Sequence, residues 1–151
     1  MTTSRNEIER RWHRLPPISI AWIKRLKELG VSVNGLCEPE LPAQTQVIMH
    51  DGFAFDFAEE ADGQPIDAVI FVARDELGDP IDYVAWEPRL NRMASLWGRV
   101  ALLGEDEIYA PRLDPEQALE VFETPLQWLL AGRQGVVIVD PQFRSSAPPR
   151  R

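Results

Sequence analysis

The sequence predicts an α+β fold: N-terminal helices, a central and mostly antiparallel sheet, and a C-terminal βαβ-like unit. Three patterns carry this. Apolar residues recur at helical spacing up to residue 30, two-residue alternation and short apolar runs separated by turn signals occupy the middle, and a strand–helix–strand pattern closes the chain. The 151 residues fit a single α+β domain over 1–143, with residues 1–30 as a basic helical segment packed on it and 144–151 (RSSAPPRR) as a flexible tail.

Residues 5–14 are Arg-rich, and Ile8 and Trp12 stand four apart on one helical face. Pro16-Pro17 interrupts that pattern. Pro17 suits the first turn of a second helix over 17–29, with Ile18, Ala21, Trp22, Leu26 and Leu29 as its apolar stripe and Gly30 beyond its end. Gln46 to His50 and the alternating Phe53, Phe55 and Phe57 read as two strands joined by Asp51-Gly52, with all three phenylalanines on the buried face. Ala68 to Ala73 is an apolar run suited to a central strand. A turn at 77–80 leads to a returning strand from Ile81 to Trp86, and the alternation across 94–103 suits one further strand. Asp114, Pro115 and Gln117 form a helix-start signal. Glu120 to Phe122, the helix start at Thr124-Pro125, the terminator Gly132 and the strand Val136 to Val139 make the βαβ pattern.

Charge narrows the function classes. Residues 1–30 carry seven basic against three acidic side chains, and residues 31–124 carry five against twenty. An acidic middle repels a phosphate backbone. Nucleic acid is therefore expected only at the ends, through Arg10, Arg11, Arg14, Lys24, Arg25 and Lys27 and the Arg150-Arg151 tail. A protein partner is the alternative that the acidic surface favours. With no apolar run of spanning length, no signal-peptide pattern and a lone Cys37, the expected location is cytoplasmic, with no membrane and no disulfide framework. The oligomeric state stays open, a homo-oligomer included.

No phosphate-binding glycine motif is present, and the two histidines, His13 and His50, lack helical metal-pair spacing. His13 reads as exposed, His50 as a turn cap beside Asp51, and Cys37 as inert. Glu105-Asp106-Glu107 are neighbours in one stretch and read as a solvated turn. The five tryptophans read as core or interface residues. No cofactor is expected. A metal-dependent hydrolase or nuclease would have to be built from His50, Asp51, Glu123 and Asp140.

The string LEVFETPLQWLLAGRQGVVIVD at 119–140 resembles the opening of a toprim domain, the metal-dependent module of primases and topoisomerases. Val121-Phe122-Glu123 matches its first strand and terminal glutamate, Leu126 to Ala131 its helix, and Gly135-Val136-Val137 its second strand. The apolar hairpin AVIFVARDELGDPIDYVAW, Leu103-Gly104 and AWIKRLKELGVS resemble upstream parts of phage primase–helicase proteins. The resemblance implies Mg²⁺-dependent phosphoryl transfer by Glu123 together with an Asp-x-Asp on a later strand. This chain contains no Asp-x-Asp and no cysteine-built zinc ribbon. It places Thr124 where the family has glycine and Gln127 where it has aspartate. The implied protein is a degenerate, truncated primase-related molecule of prophage or other mobile-element origin. Glu123 and Asp140 are vestigial in it, the metal site is absent, and it acts by binding a protein rather than by catalysis.

Overall fold

The computed structural model describes residues 5–37, 40–51, 53–75, 77–99, 102–104 and 120–139. Asp140, the 105–107 acidic run, the 114–117 helix signal and the 144–151 tail lie outside the described residues. The fold is mixed α and β. Helices α1 (Arg5–Arg14), α2 (Ile20–Glu28) and α3 (Val33–Cys37) precede strands β1 (Ala43–His50), β2 (Ala54–Phe57), β3 (Ile66–Arg74), β4 (Pro80–Glu87) and β5 (Arg92–Ser95). A second group follows: β6 (Leu102–Leu103), β7 (Val121–Phe122), α4 (Pro125–Leu130) and β8 (Val136–Ile138).

The central sheet closes into a barrel in the order β1-β2-β5-β4-β3. The sequence patterning specifies a mostly antiparallel sheet and not how its edges meet. Closure comes from a parallel contact of β2 with β5 at Ala54↔Ser95, where the Ser95 N–H donates to the Phe53 carbonyl at 3.0 Å. Every other pairing in the barrel is antiparallel. A five-stranded barrel is narrow, so large inward side chains need small ones opposite. Ala43, Ala68, Ala85 and Ala94 make that room for Phe55, Phe57 and Tyr83.

Helix α1 plugs the barrel. Ile8 and Trp12 belong to the barrel's inner cluster, and the Trp12 ring stacks on Tyr83 with centroids 6.1 Å apart. The Tyr83 hydroxyl donates to the Ile8 carbonyl, and burial pushes its phenol up to about 12. Arg74 on β3 clasps the plug by donating to both Glu9 and Glu40 at 3.0–3.2 Å. Those hydrogen bonds, Glu40's first, raise the Arg74 pKa further above its ordinary value.

The outer face of β3 and β4 is also covered. Val69, Phe71, Val84 and Trp86 cluster with Ile18, Leu26 and Leu36 and with Trp128, Leu129 and Val137. This explains why β3 reads as an unbroken apolar run. Helix α2 begins later than the prolines suggested. Residues 16–18 run against the start of β1, with the Ile18 N–H donating to the Pro42 carbonyl and the Gln44 N–H to Pro16. Ser19 then caps the helix, its Oγ accepting from the Trp22 N–H. Within the expected stripe Ile18 and Leu26 are buried, whereas Ala21 and Leu29 face solvent.

The 94–103 stretch is not one strand. Asp82, fully buried, accepts backbone N–H bonds from Trp97 at 3.1 Å and Arg99 at 2.9 Å, and Gly98 turns there with φ +67°. The chain thus leaves β5 and enters β6 of a different sheet. Burial raises the Asp82 pKa, opposed by those N–H donors and that of Tyr83.

The second sheet runs β6-β8-β7, with β8 antiparallel to β6 and parallel to β7. One close approach locks it to the rest and another holds it together internally. Arg133, buried at φ +61°, donates from Nε and Nη2 to the Gly35 and Leu36 carbonyls at 2.8 and 2.6 Å, its guanidinium lying near the Phe71 and Trp128 rings. Gly135, at φ +131°, has room for no side chain, because a Cβ would sit 2.5 Å from the Glu120 carbonyl oxygen. Among the described residues no helix is long and apolar enough to cross a membrane.

Candidate functional site

A cleft of about 490 Å³ opens where the β1–β2 hairpin and β5 meet the second sheet. Its apolar lining includes Met49, Phe53 and Met93, and Ile138 and Val139 complete that side. Both methionines beyond Met1 line this one cleft. Its polar groups are His50, Asp51, Asn91, Arg92, Glu123 and Thr124.

Backbone geometry also concentrates here. Three described non-glycine residues have positive φ, and two of them, Phe53 (φ 63°) and Asn91 (φ 52°), line the cleft. For a bulky aromatic this conformation costs on the order of 1–3 kcal/mol and persists only where surroundings impose it. Phe53 is 52% exposed, so burial does not compensate. The expectation that Phe53 shares the buried face of Phe55 and Phe57 is therefore corrected. The positive φ takes Phe53 out of the strand's alternation, and its carbonyl accepts the barrel-closing bond from Ser95. Asn91 uses its side-chain carbonyl to accept from the Trp86 indole N–H at 2.9 Å.

Arg92 and His50 are each anchored by a carboxylate. Arg92 donates from Nε and Nη2 to a single oxygen of Glu87, at 3.1 and 2.6 Å, and Glu87 is buried. The His50 Nε2 lies 2.8 Å from Asp56 Oδ2 across the hairpin, so His50 is tied to the neighbouring strand. Glu123 and Thr124 arrive from the β7–α4 junction. Thr124 caps α4 by accepting from the Gln127 N–H, while the Gln127 side chain accepts from the Glu123 N–H at 3.2 Å. The two positions that depart from the toprim pattern, Thr124 and Gln127, therefore form a helix-capping pair around Glu123.

The sequence-derived residues divide in space. His50, Asp51 and Glu123 share the cleft, although they lie more than seventy positions apart in part. Among the described residues no three of His, Cys, Asp and Glu are grouped so as to hold a metal ion. The six cations proposed for nucleic acid are elsewhere. Arg11 is bound to Glu60 and lies 4.1 Å over the Phe57 ring, Arg10 donates to the Asn6 carbonyl, and Arg14 lines a groove that Glu7, Asp56 and Glu60 also border. Lys24, Arg25 and Lys27 are exposed on α2, with Arg25 over Trp22. His13 is exposed near Glu9, and Cys37 is half-buried.

Met49, Asn91, Arg92 and Met93 were not singled out from the sequence, and Phe53 was read there only as a buried strand residue. The one usable signal was that both methionines beyond Met1 flank turn segments. Comparison with protein-family models, with curated proteins and with solved structures gave no match.

Proposed function

We propose that this chain is a non-catalytic, primase-related accessory protein that acts by binding a protein partner through the Met49–Phe53–Met93 cleft. The observation that carries the reading is the assembly in one concave site of both methionines beyond Met1 and an exposed aromatic held at positive φ. Methionine side chains adapt to varied apolar surfaces, and exposed aromatics supply contact area at small entropic cost. The primase lineage rests on the resemblance at 119–140.

Site-specific photo-crosslinking in the native host tests this. A benzophenone amino acid at Phe53 is expected to give a protein adduct. The same probe at Leu77, exposed on the turn at the far end of the β3–β4 hairpin, serves as the control. No adduct, or equal adducts at both positions, overturns the reading. A second reading, nucleic-acid binding, is favoured by the exposed Lys24, Arg25 and Lys27 of α2. It predicts an affinity for single-stranded DNA that falls steeply with salt and is lost when the three are replaced by Gln.

A further inference from the structure

Resting on the reading of the cleft as a protein-docking site, we infer that the partner protein enters it as an extended strand. The strand's backbone pairs with the open edge of β5 at Met93, and an apolar side chain of it lies on Met49, Phe53 and Met93.

One edge of β5 is spent on β4, in register from Arg92↔Glu87 to Ser95↔Val84. The other edge meets β2 at Ser95 alone. Successive residues of a strand turn their backbone groups to alternate sides. The Leu96 N–H donates to the Tyr83 carbonyl on β4 at 3.1 Å, whereas the Ser95 N–H donates to the Phe53 carbonyl on the opposite side at 3.0 Å. By that alternation Ala94 and Arg92 face β4, and Met93 presents its N–H and C=O on the same side as Ser95. Among the described residues nothing pairs with either group there. The ladder stops because Phe53, at φ 63°, takes the chain out of strand geometry just before Ala54.

The open edge borders the cleft, since Met93 is half-buried and lines it together with Met49 and Phe53. A helical ligand spends its own N–H and C=O groups internally and would cover the Met93 pair without bonding it, which costs free energy. An extended segment carries unspent groups of both kinds and matches a sheet edge. Its residue opposite Met93 projects from the same face as Met93, so an apolar side chain fits at that position.

Random peptides displayed on phage, selected against the immobilised full chain and titrated by fluorescence anisotropy, test this. Methylating each backbone nitrogen of a selected peptide in turn is expected to weaken binding about tenfold at one position, the nitrogen that donates to the Met93 carbonyl, and to be tolerated at its two neighbours. In the saturated complex the Met93 amide is expected to exchange with solvent about tenfold more slowly or better, with the Leu77 amide unchanged. Phe53→Ser, at an exposed position, is expected to weaken binding about tenfold. Peptides that gain helical circular dichroism on binding, a Met93 amide whose exchange does not change, methylation that is harmless at every position, or no enriched peptide at all overturn this inference. If the benzophenone at Phe53 still captures a protein in those cases, the docking reading stands and only strand addition fails; a missing adduct removes the docking reading itself. Adducts at Phe53 made solely to a second copy of this chain overturn the inference as well.

Discussion

Replacing Trp12 with alanine tests whether α1 is a structural plug or a surface appendage. Trp12 is 8% exposed and stacks on Tyr83 inside the barrel mouth. Truncating a buried tryptophan removes its transfer free energy and leaves a cavity, together about 3–5 kcal/mol. Domains of this kind are stable by roughly 5–15 kcal/mol, so the loss is a large fraction of the total. At about 2–4 °C per kcal/mol for a chain of this length, the melting temperature should fall by about 6–20 °C. Urea unfolding followed by far-UV circular dichroism measures the change without relying on the deleted fluorophore. Tyr83→Phe, which removes only the hydroxyl that donates to Ile8, should cost about 0.5–1.5 kcal/mol. Because the two side chains touch, the double variant should deviate from additivity by about 0.5 kcal/mol or more. If Trp12→Ala costs less than about 0.5 kcal/mol, as a free surface position would, the plug argument is wrong.

Phe53→Gly should cost no more than about 0.5 kcal/mol, since it relieves a positive φ at an exposed position, while abolishing the crosslinking surface; a clear destabilisation in urea would contradict the strain assignment. Asp82 has a pKa raised by burial, so its contribution to stability is fullest below the ordinary carboxylate value near 3.8 and declines as pH rises through the shifted value. The stability of wild type relative to Asp82→Asn should therefore be greatest in acid and fall toward neutrality, and denaturation curves showing the opposite slope would refute this. Gly135→Ala should destabilise by at least about 1–3 kcal/mol from backbone strain alone and raise hydrogen exchange in β8; protected β8 amides would count against it. Arg133→Lys should fail to restore the stability lost in Arg133→Met, because a single ammonium cannot reproduce the forked donation to the Gly35 and Leu36 carbonyls.

Local patterning determined several of the elements. The Ile8–Trp12 spacing marked α1, the run from Ala68 to Ala73 marked β3, and Thr124-Pro125 and Gly132 bounded α4, because periodicity and caps are written in adjacent residues. Charge segregation likewise followed from counting. Tertiary structure decided what adjacency does not encode. Barrel closure depends on Ala54 meeting Ser95, and no local pattern specifies that contact. The 94–103 alternation was divided between two sheets by Asp82, a buried carboxylate whose acceptors' geometry selects the Trp97 and Arg99 amides. Phe53 was turned outward by a backbone angle that its side chain disfavours, which removed it from the alternation of its neighbours. The cleft itself draws on four separated segments, residues 49–51 with 53, 91–94, 123–124 and 138–139. Secondary structure is a short-range property of side-chain spacing, whereas a concave site is a long-range property of how sheets close and pack. The sequence therefore named His50, Asp51 and Glu123 one by one, and only the folded chain set them against Met49, Phe53 and Met93.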